Sequence, residues 1–453
     1  MIKSWINIIF LFTLAYSSTL ELYGTGERFH EVQGMEIALG DSYFFSDHVS
    51  GYNSTSIGTL WRTDLTRLAF SSNFTRSING PSDRDINMSF FSFSFPVFSN
   101  KTIGFGLTPY TRSNIRLLEE GGSSIGQGAS DFIDHPLSSR SEYRFYGGIS
   151  NLYLALSTKV NKGNSFGLKV NSLFGNQIHI NKIIISTLDA SFDDAGTSDY
   201  SLIEQDSTSK VVLNQFSGYS LQLDWNSSFN KHQIGMSVTM MGPIDISSKK
   251  YYDIYSISDP MERYFLMDYS YLYLESGDDL ITYNPDYSNS ISDNVDAKSF
   301  ISNLFNRVND YKFGYHYSGK DIGLIFEIQG SDLFTNYSLE QDDMSVLNNA
   351  QPSSKSYHLG LYKRYDNSSA NFFNSINLRA GGYYRDYSFN SDTGSDVALS
   401  FGIGIGINNY SNFIDLGFKM GRITTPSFES EDYMKGTLSI NIGEKWFSRS
   451  RRK

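Results

Sequence analysis

From Val397 onward the chain alternates oily and polar positions. Val397, Leu399, Phe401, Ile403, Ile405 and Ile407 fall on one parity, with Ala398, Ser400, Gly402, Gly404 and Gly406 on the other. Ile414, Leu416, Phe418 and Met420 oppose Asp415, Gly417, Lys419 and Gly421. Met434, Leu438, Ile440 and Ile442 oppose Lys435, Thr437, Ser439 and Asn441. Successive side chains of a strand point to opposite faces, so each run predicts a strand with one oily and one polar side. Earlier segments repeat the pattern: Ile103, Phe105 and Leu107 against Gly104, Gly106 and Thr108, and Ile322, Leu324, Phe326 and Ile328 against Glu327 and Gln329. Half of a soluble sandwich alternates in the same way. The last run, however, closes on an aromatic pair, Trp446-Phe447, as strands do at the aromatic girdles of outer-membrane barrels. A lysine facing lipid at mid-membrane costs ~2–4 kcal/mol, whereas a polar lumen accepts it. The polar parity therefore faces inward.

The connections are of two kinds. Ser99-Asn100-Lys101, Asn161 to Asn164, Asn230-Lys231, Ser318-Gly319-Lys320, Asp366 to Ser369 and Asn408-Asn409 are short and rich in residues that accept the positive φ of tight hairpins. Between them lie longer polar stretches, at 78–85, 118–143, 179–213, 246–309, 336–354, 389–396 and 425–432. Short turns alternating with long loops is the outer-membrane barrel pattern, turns periplasmic and loops outside. The count comes to about fourteen strands, an even number as such barrels require, with the last strand pairing to the first near Thr66–Phe74. Within the longest stretch, Phe300, Ile301, Leu304, Phe305 and Val308 recur at helical spacing.

Composition narrows this further. The 453 residues contain no cysteine, which excludes disulfides and zinc–thiolate sites. Aromatic residues make up 15% and charged ones only 19%, below the usual quarter of a soluble protein. A net charge of −11 argues against a nucleic-acid-binding face. Lys3, the apolar run Trp5 to Leu14 and the small residues around Ala15-Tyr16-Ser17 form a secretory signal over residues 1–17, too short to span a bilayer. Residues 18–65 show no clean alternation and form a leader of the right size for a lumenal plug. The barrel is expected over 66–447, with a basic tail over 448–453 that includes Arg449, Arg451, Arg452 and Lys453.

Catalytic and metal chemistry finds little support. Gly122-Ser123-Ser124-Ile125-Gly126 matches a nucleophile elbow but lacks the strand before it and the helix after it. The glycines from Gly402 to Gly406 lie on one strand face, where they make packing space. The histidines show no ligand spacing, and Asp278, Asp279, Asp286, Asp293 and Asp296 lack calcium-loop spacing. No catalytic residue, metal site or cofactor is expected.

Four stretches resemble one family. They are YGTGERFHEVQGMEIALGDSYFFSDHVSGYNSTSIGTL near the start, FSFSFPVFSNKTIGFGLTPYTRSN, the hairpin GGISNLYLALSTKVNKGNSFGLKVNSLFGN, and INLRAGGYYRDYS with SFGIGIGINNYSNFIDLGFKMGR and the terminal NIGEKWF. They are similar to the FadL family of outer-membrane transporters for long-chain fatty acids and other hydrophobic compounds, in particular its Bacteroidetes-like branch. The plug's usual Asn-Pro-Ala is Asn53-Ser54-Thr55 here. The resemblance implies an all-β, antiparallel transmembrane barrel of about fourteen strands in the outer membrane of a Gram-negative cell, stoppered by an N-terminal plug. It implies passive uptake of a hydrophobic small molecule that leaves sideways through an inward kink in the third strand. On it, Gly34, Met35, Gly40, Asp41 and Asn53 are plug residues, Pro109 marks the kinked strand Thr102–Asn114, and Trp446 and Phe447 carry the assembly signal. The partners are the hydrophobic ligand, outer-membrane lipid and lipopolysaccharide, and the barrel-assembly machinery, with the protein a monomer. A non-transporting scaffold or shuttle subunit of a secretion system, or a general porin, remains the alternative.

Overall fold

The computed structural model describes residues 27–29, 33–44, 55–78, 85–124, 137–192, 198–256, 308–331, 353–363, 376–389, 392–407, 412–425 and 428–445. A two-residue strand β1 (Glu27–Arg28), a one-turn helix α1 (Gly34–Ala38) and a 3-10 turn (Ile57–Arg62) precede fourteen long strands. These are β2 (Thr66–Ser77), β3 (Asp85–Phe98), β4 (Lys101–Ser124), β5 (Leu137–Lys159), β6 (Asn164–Phe192), β7 (Ser198–Phe229), β8 (His232–Ser256), β9 (Val308–Ser318), β10 (Ile322–Ser331), β11 (Ser353–Lys363), β12 (Ile376–Phe389), β13 (Asp392–Ile407), β14 (Asn412–Thr425) and β15 (Phe428–Glu444). Each pairs antiparallel with the next, and β15 pairs with β2 from Tyr433↔Ser77 to Glu444↔Thr66. The sheet closes into a fourteen-stranded barrel with no free lateral edge along that joint.

Parity does what the alternation requires. On β13, Leu399 is 75% and Phe401 53% exposed on the outside, while Ala398 and Ser400 are buried. Glu327, Asp415, Lys419 and Lys435 all lie on the inward parity and are buried. At the short-turn end, Phe229 stacks on His232, which also meets Tyr315 and Tyr317. Lys101 Nζ lies 5.9 Å from the ring centre of Phe98 nearby. These rings occupy the place of an aromatic girdle. Trp446 and Phe447 lie outside the described residues, as do the leader 1–17 and the tail after Lys445. Asn230, at φ 53, makes the tight β7–β8 turn that its residue type suggests.

Three expected loops are in part strand instead; of the stretch 118–143, residues 118–124 end β4 and 137–143 open β5. Residues 179–213, read as a polar loop, are the outer halves of β6 and β7 around a short connection, paired from His179↔Val212 to Phe192↔Ser198. Residues 246–256 continue β8, and Val308, placed by spacing on a helix, opens β9. The physical reason is hydration. Beyond the membrane both faces of a strand meet water, so polar residues on either parity cost little, and the alternation that marks a strand fades. The rest of the proposed helix, Phe300 to Phe305, and the acidic residues Asp278 to Asp296 fall outside the described residues. Gly122, Ser123 and Ser124 end β4, and the rest of that serine motif, Ile125 and Gly126, lies outside the described residues.

Candidate functional site

Inside the barrel, the N-terminal segment packs against the wall in three places. The first is α1. Gln33 caps it, its N–H donating 3.1 Å to the Glu36 carboxylate in a capping box, and the helix is one turn because Gly40 (φ 70) and Asp41 (φ 60) then reverse the chain. Glycine takes that conformation at no steric cost, and aspartate tolerates it better than most residues. All five helical residues are buried. Met35 and Leu39 pack on Ile325 and Tyr362 of the wall. The wall receives them because it is built of glycine here. A side-chain carbon on Gly381 would strike the Gly40 nitrogen and the Leu39 carbonyl carbon, and one on Gly402 would strike Ala38. Inward glycines of neighbouring strands, Gly381 of β12, Gly402 of β13 and Gly417 of β14, are therefore a seat for the plug.

Polar groups then fix the position. The Gly34 N–H donates to Ser439 Oγ at 2.6 Å and the Gly40 N–H to Ser400 Oγ at 3.0 Å. His358 Nδ1 lies 2.6 Å from the Gly40 carbonyl oxygen, and Gln329 donates to the Asp41 carbonyl at 3.1 Å. Lys419 Nζ pairs with the Asp41 carboxylate at 2.9 Å, and Arg385 stands 3.9 Å from the same group.

The second anchor is Tyr43-Phe44. Both backbone N–H groups donate to the Glu327 carboxylate, at 2.8 and 2.7 Å. The Tyr43 hydroxyl donates to Asp224 at 2.8 Å, and Asp224 also accepts the Gly58 N–H at 3.2 Å. The third anchor is the 3-10 turn, whose Ile57 and Leu60 pack with Ala69, Phe90, Tyr153 and Ala155. Together the anchors touch β2, β3, β5, β7 and β10 to β15.

Beside this plug the wall has an unzipped seam. The β3–β4 ladder runs from Phe98↔Lys101 to Phe91↔Leu107 and stops there, although β4 continues to Ser124 and β3 back to Asp85. Against β5, β4 slips register between Pro109 and Thr111. Proline brings no N–H to a ladder, so an irregularity here is inexpensive. Into the gap comes β1, with Arg28↔Thr111 and Glu27↔Arg112. The Phe29 N–H donates to the Tyr110 carbonyl at 3.1 Å. The Arg28 guanidinium lies 5.2 Å from the Tyr110 ring centre and reaches Asp310 and Ser331 across the lumen.

The structure thus brings Gly34, Met35, Gly40 and Asp41 together at the first anchor and sets Pro109 apart at the seam, while Asn53 lies outside the described residues. Sequence reading missed the wall residues Glu327, Asp224, Lys419, His358 and Asp310 as plug contacts. Their signal was an ionisable group on the inward parity of a strand.

A family model described as BamG matches residues 1–453. The chain belongs to the BamG family. Solved structures similar to this BamG-family barrel include the CymD monoaromatic hydrocarbon channel, at 12% identity and a TM-score of 0.48 over 91% of this chain and 98% of that one. The toluene transporter TbuX of Ralstonia pickettii follows at 11% and 0.48, over 94% and 99%. A Pseudomonas aeruginosa FadL homologue gives 10% and 0.47, over 90% and 97%. A comparison with curated protein sequences finds no match.

The glycine seat makes a test of the plug's placement. Gly381→Leu is expected to leave the barrel heat-modifiable on a gel, because the wall ladder at that position is backbone. It should nevertheless loosen the plug, since overpacking of a tight contact costs about 1–3 kcal/mol. Faster hydrogen exchange at Leu39 and Gly40, with the strand amides unchanged, is the outcome to look for.

Proposed function

We propose that this BamG-family barrel works in the outer membrane as a closed, non-conducting subunit in the service of barrel assembly. The observation that carries the reading is how the plug is held. A conduit for an apolar molecule needs a plug that can move and an apolar way past it. Displacing this plug would take the plug's partners from Glu327, Asp224 and Lys419 of the wall, and would part Asp41 of the plug from Lys419. Breaking a buried ionic contact from one side typically costs ~3–5 kcal/mol. The seam, where a hydrophobic molecule would leave, is occupied by a guanidinium, Arg28, on the plug's own strand. The family's name, BamG, points the same way and makes the barrel-assembly machinery the expected partner.

A second reading rests on the seam itself. Strands that part above Phe91↔Leu107 would offer a hydrophobic small molecule, such as a long-chain fatty acid, a sideways route into the membrane. This is the function implied by the likeness to FadL-type transporters and their Bacteroidetes-like branch. Depletion of the chain from living cells separates the two readings. The assembly reading expects other outer-membrane barrels to lose their folded, heat-modifiable form while uptake of a labelled long-chain fatty acid holds steady. Lost uptake with normal barrels would reverse the order of the two.

A further inference from the structure

The wall of β4 to β8 carries irregularities that line up across neighbouring strands. On β4 the register slips between Pro109 and Thr111. Next to it on β5, Gly147 and Gly148 take φ 111 and 147, conformations that side chains rarely permit, and they pair with Ser113 and Arg112. On β6, Gly175 pairs with Ile149, and a side chain there would strike the Gly148 carbonyl oxygen. On β7 the register slips again between Gly218 and Ser220, whose β8 partners are Ile244 and Met241, so the skipped residues of β8 are Gly242 and Pro243. Bulges and glycines at one level of a sheet make a crease, because each bends its strand locally.

Past the crease, the next residues of β4 and β5 cross the lumen. Ile115 of β4 and Phe145 of β5 join one buried cluster with Tyr383 and Tyr387 of β12, Ala398 of β13, Ile423 of β14 and Tyr433 of β15, and Tyr143 packs against it. In a fourteen-stranded ring, β5 and β12 stand opposite one another. At about 4.8 Å per strand and a tilt near 40°, such a barrel is roughly 28 Å across. An upright wall could not bring Phe145 into a cluster with Tyr387. The far side is held ready to receive it: the Tyr383 hydroxyl donates to Asp396 at 2.6 Å, and the Tyr433 hydroxyl lies 2.7 Å from that of Tyr383 and 2.9 Å from Asp396.

We infer that the outer halves of β4 and β5 are a lid, hinged on the crease Pro109–Gly148–Gly175–Gly218–Gly242, which closes the lumen in addition to the plug. The barrel then has two closures in series. One is the N-terminal segment bolted by charge; the other is the wall's own sheet folded over and sealed by aromatic packing.

The absence of cysteine makes the test clean, since introduced thiols are the only ones in the full chain. Phe145→Cys with Tyr387→Cys, in outer membranes, should be joined by a short bifunctional maleimide in most molecules and run faster on a gel. If each single variant reacts but the pair does not join, the wall stands open and the lid is wrong. Should that pair fail to give a heat-modifiable barrel, Ile115→Cys with Ile423→Cys puts the same question across β4 and β14: joining supports the lid, and reaction without joining overturns it. A second measurement reads the seal itself. Ala398→Cys should react slowly with a membrane-impermeant maleimide added from outside. Adding Ile115→Ser and Phe145→Ser, in a barrel that keeps its heat-modifiable migration, should raise that rate about tenfold or more, because burial in the cluster is what protects the thiol. An unchanged rate would overturn the inference.

Discussion

Glu327→Ala is expected to unpin the Tyr43-Phe44 segment while the barrel stays closed along every ladder. The carboxylate accepts two plug N–H groups at 2.8 and 2.7 Å and is wholly buried, so its removal orphans both donors. A hydrogen bond to a charged group contributes about 1.5–3 kcal/mol, so the two together come to about 4. Each 1.4 kcal/mol is a factor of ten in a local opening equilibrium, which puts the rise in exchange at Tyr43 and Phe44 at roughly a thousandfold. Glu327→Gln should fall between, since an amide oxygen can still accept. Hydrogen exchange followed by mass spectrometry checks this. An alanine variant whose plug amides exchange at the parent's rate would mean that the carboxylate contributes nothing to the hold.

The second large effect concerns Lys419 and Asp41. Lys419→Met should cost about 3–5 kcal/mol, because it takes from the fully buried Asp41 carboxylate the cation 2.9 Å away, while Arg385 stands farther off at 3.9 Å. The cost is expected to fall on the plug, since Asp41 belongs to the left-handed reversal after α1 and Lys419 to the wall. The decisive measurement is the pair. Asp41→Asn combined with Lys419→Met removes both charges at once and should recover most of the loss, giving a coupling well above the few tenths expected of independent sites. Simple addition of the two single effects would show that the contact is incidental. Urea titration of plug fluorescence or of exchange at Gly40 reads the cycle.

The barrel was legible in the sequence because lipid enforces a period of two. Leu399 and Phe401 face out and Ser400 and Gly402 face in, as their order alone requires. The same logic fails where lipid ends, which is why the outer parts of β6 and β7 read as loop: past the lipid nothing requires an oily outer parity, and the run from His179 to Leu213 carries polar residues on both. The plug's seat was half legible. Gly34, Gly40 and Asp41 stand out as residues suited to close approach or reversal, and Glu327 and Lys419 stand out as charges on an inward parity. What joins them does not, because Tyr43 meets Glu327 across 284 positions and Lys419 meets Asp41 across 378. No local pattern encodes a pairing at that distance. The crease was illegible for a related reason. Gly148, Gly175 and Gly218 are ordinary glycines taken singly and gain meaning only when the ladders bring them to one level.

The closing ladder between β15 and β2 also fixes the order in which the molecule can be put together. Ser71 and Ser439 meet across 368 positions and the Gly34 N–H finds Ser439 across 405, so the first residues translated wait for among the last. Contacts of such long range make for slow folding, because the loop entropy is lost before the contact rewards it. Until β15 arrives, α1 has no Ser439 to bind and its floor on β13 to β15 is incomplete. The strand that zips the ring is therefore also the one that takes the N-terminal segment captive.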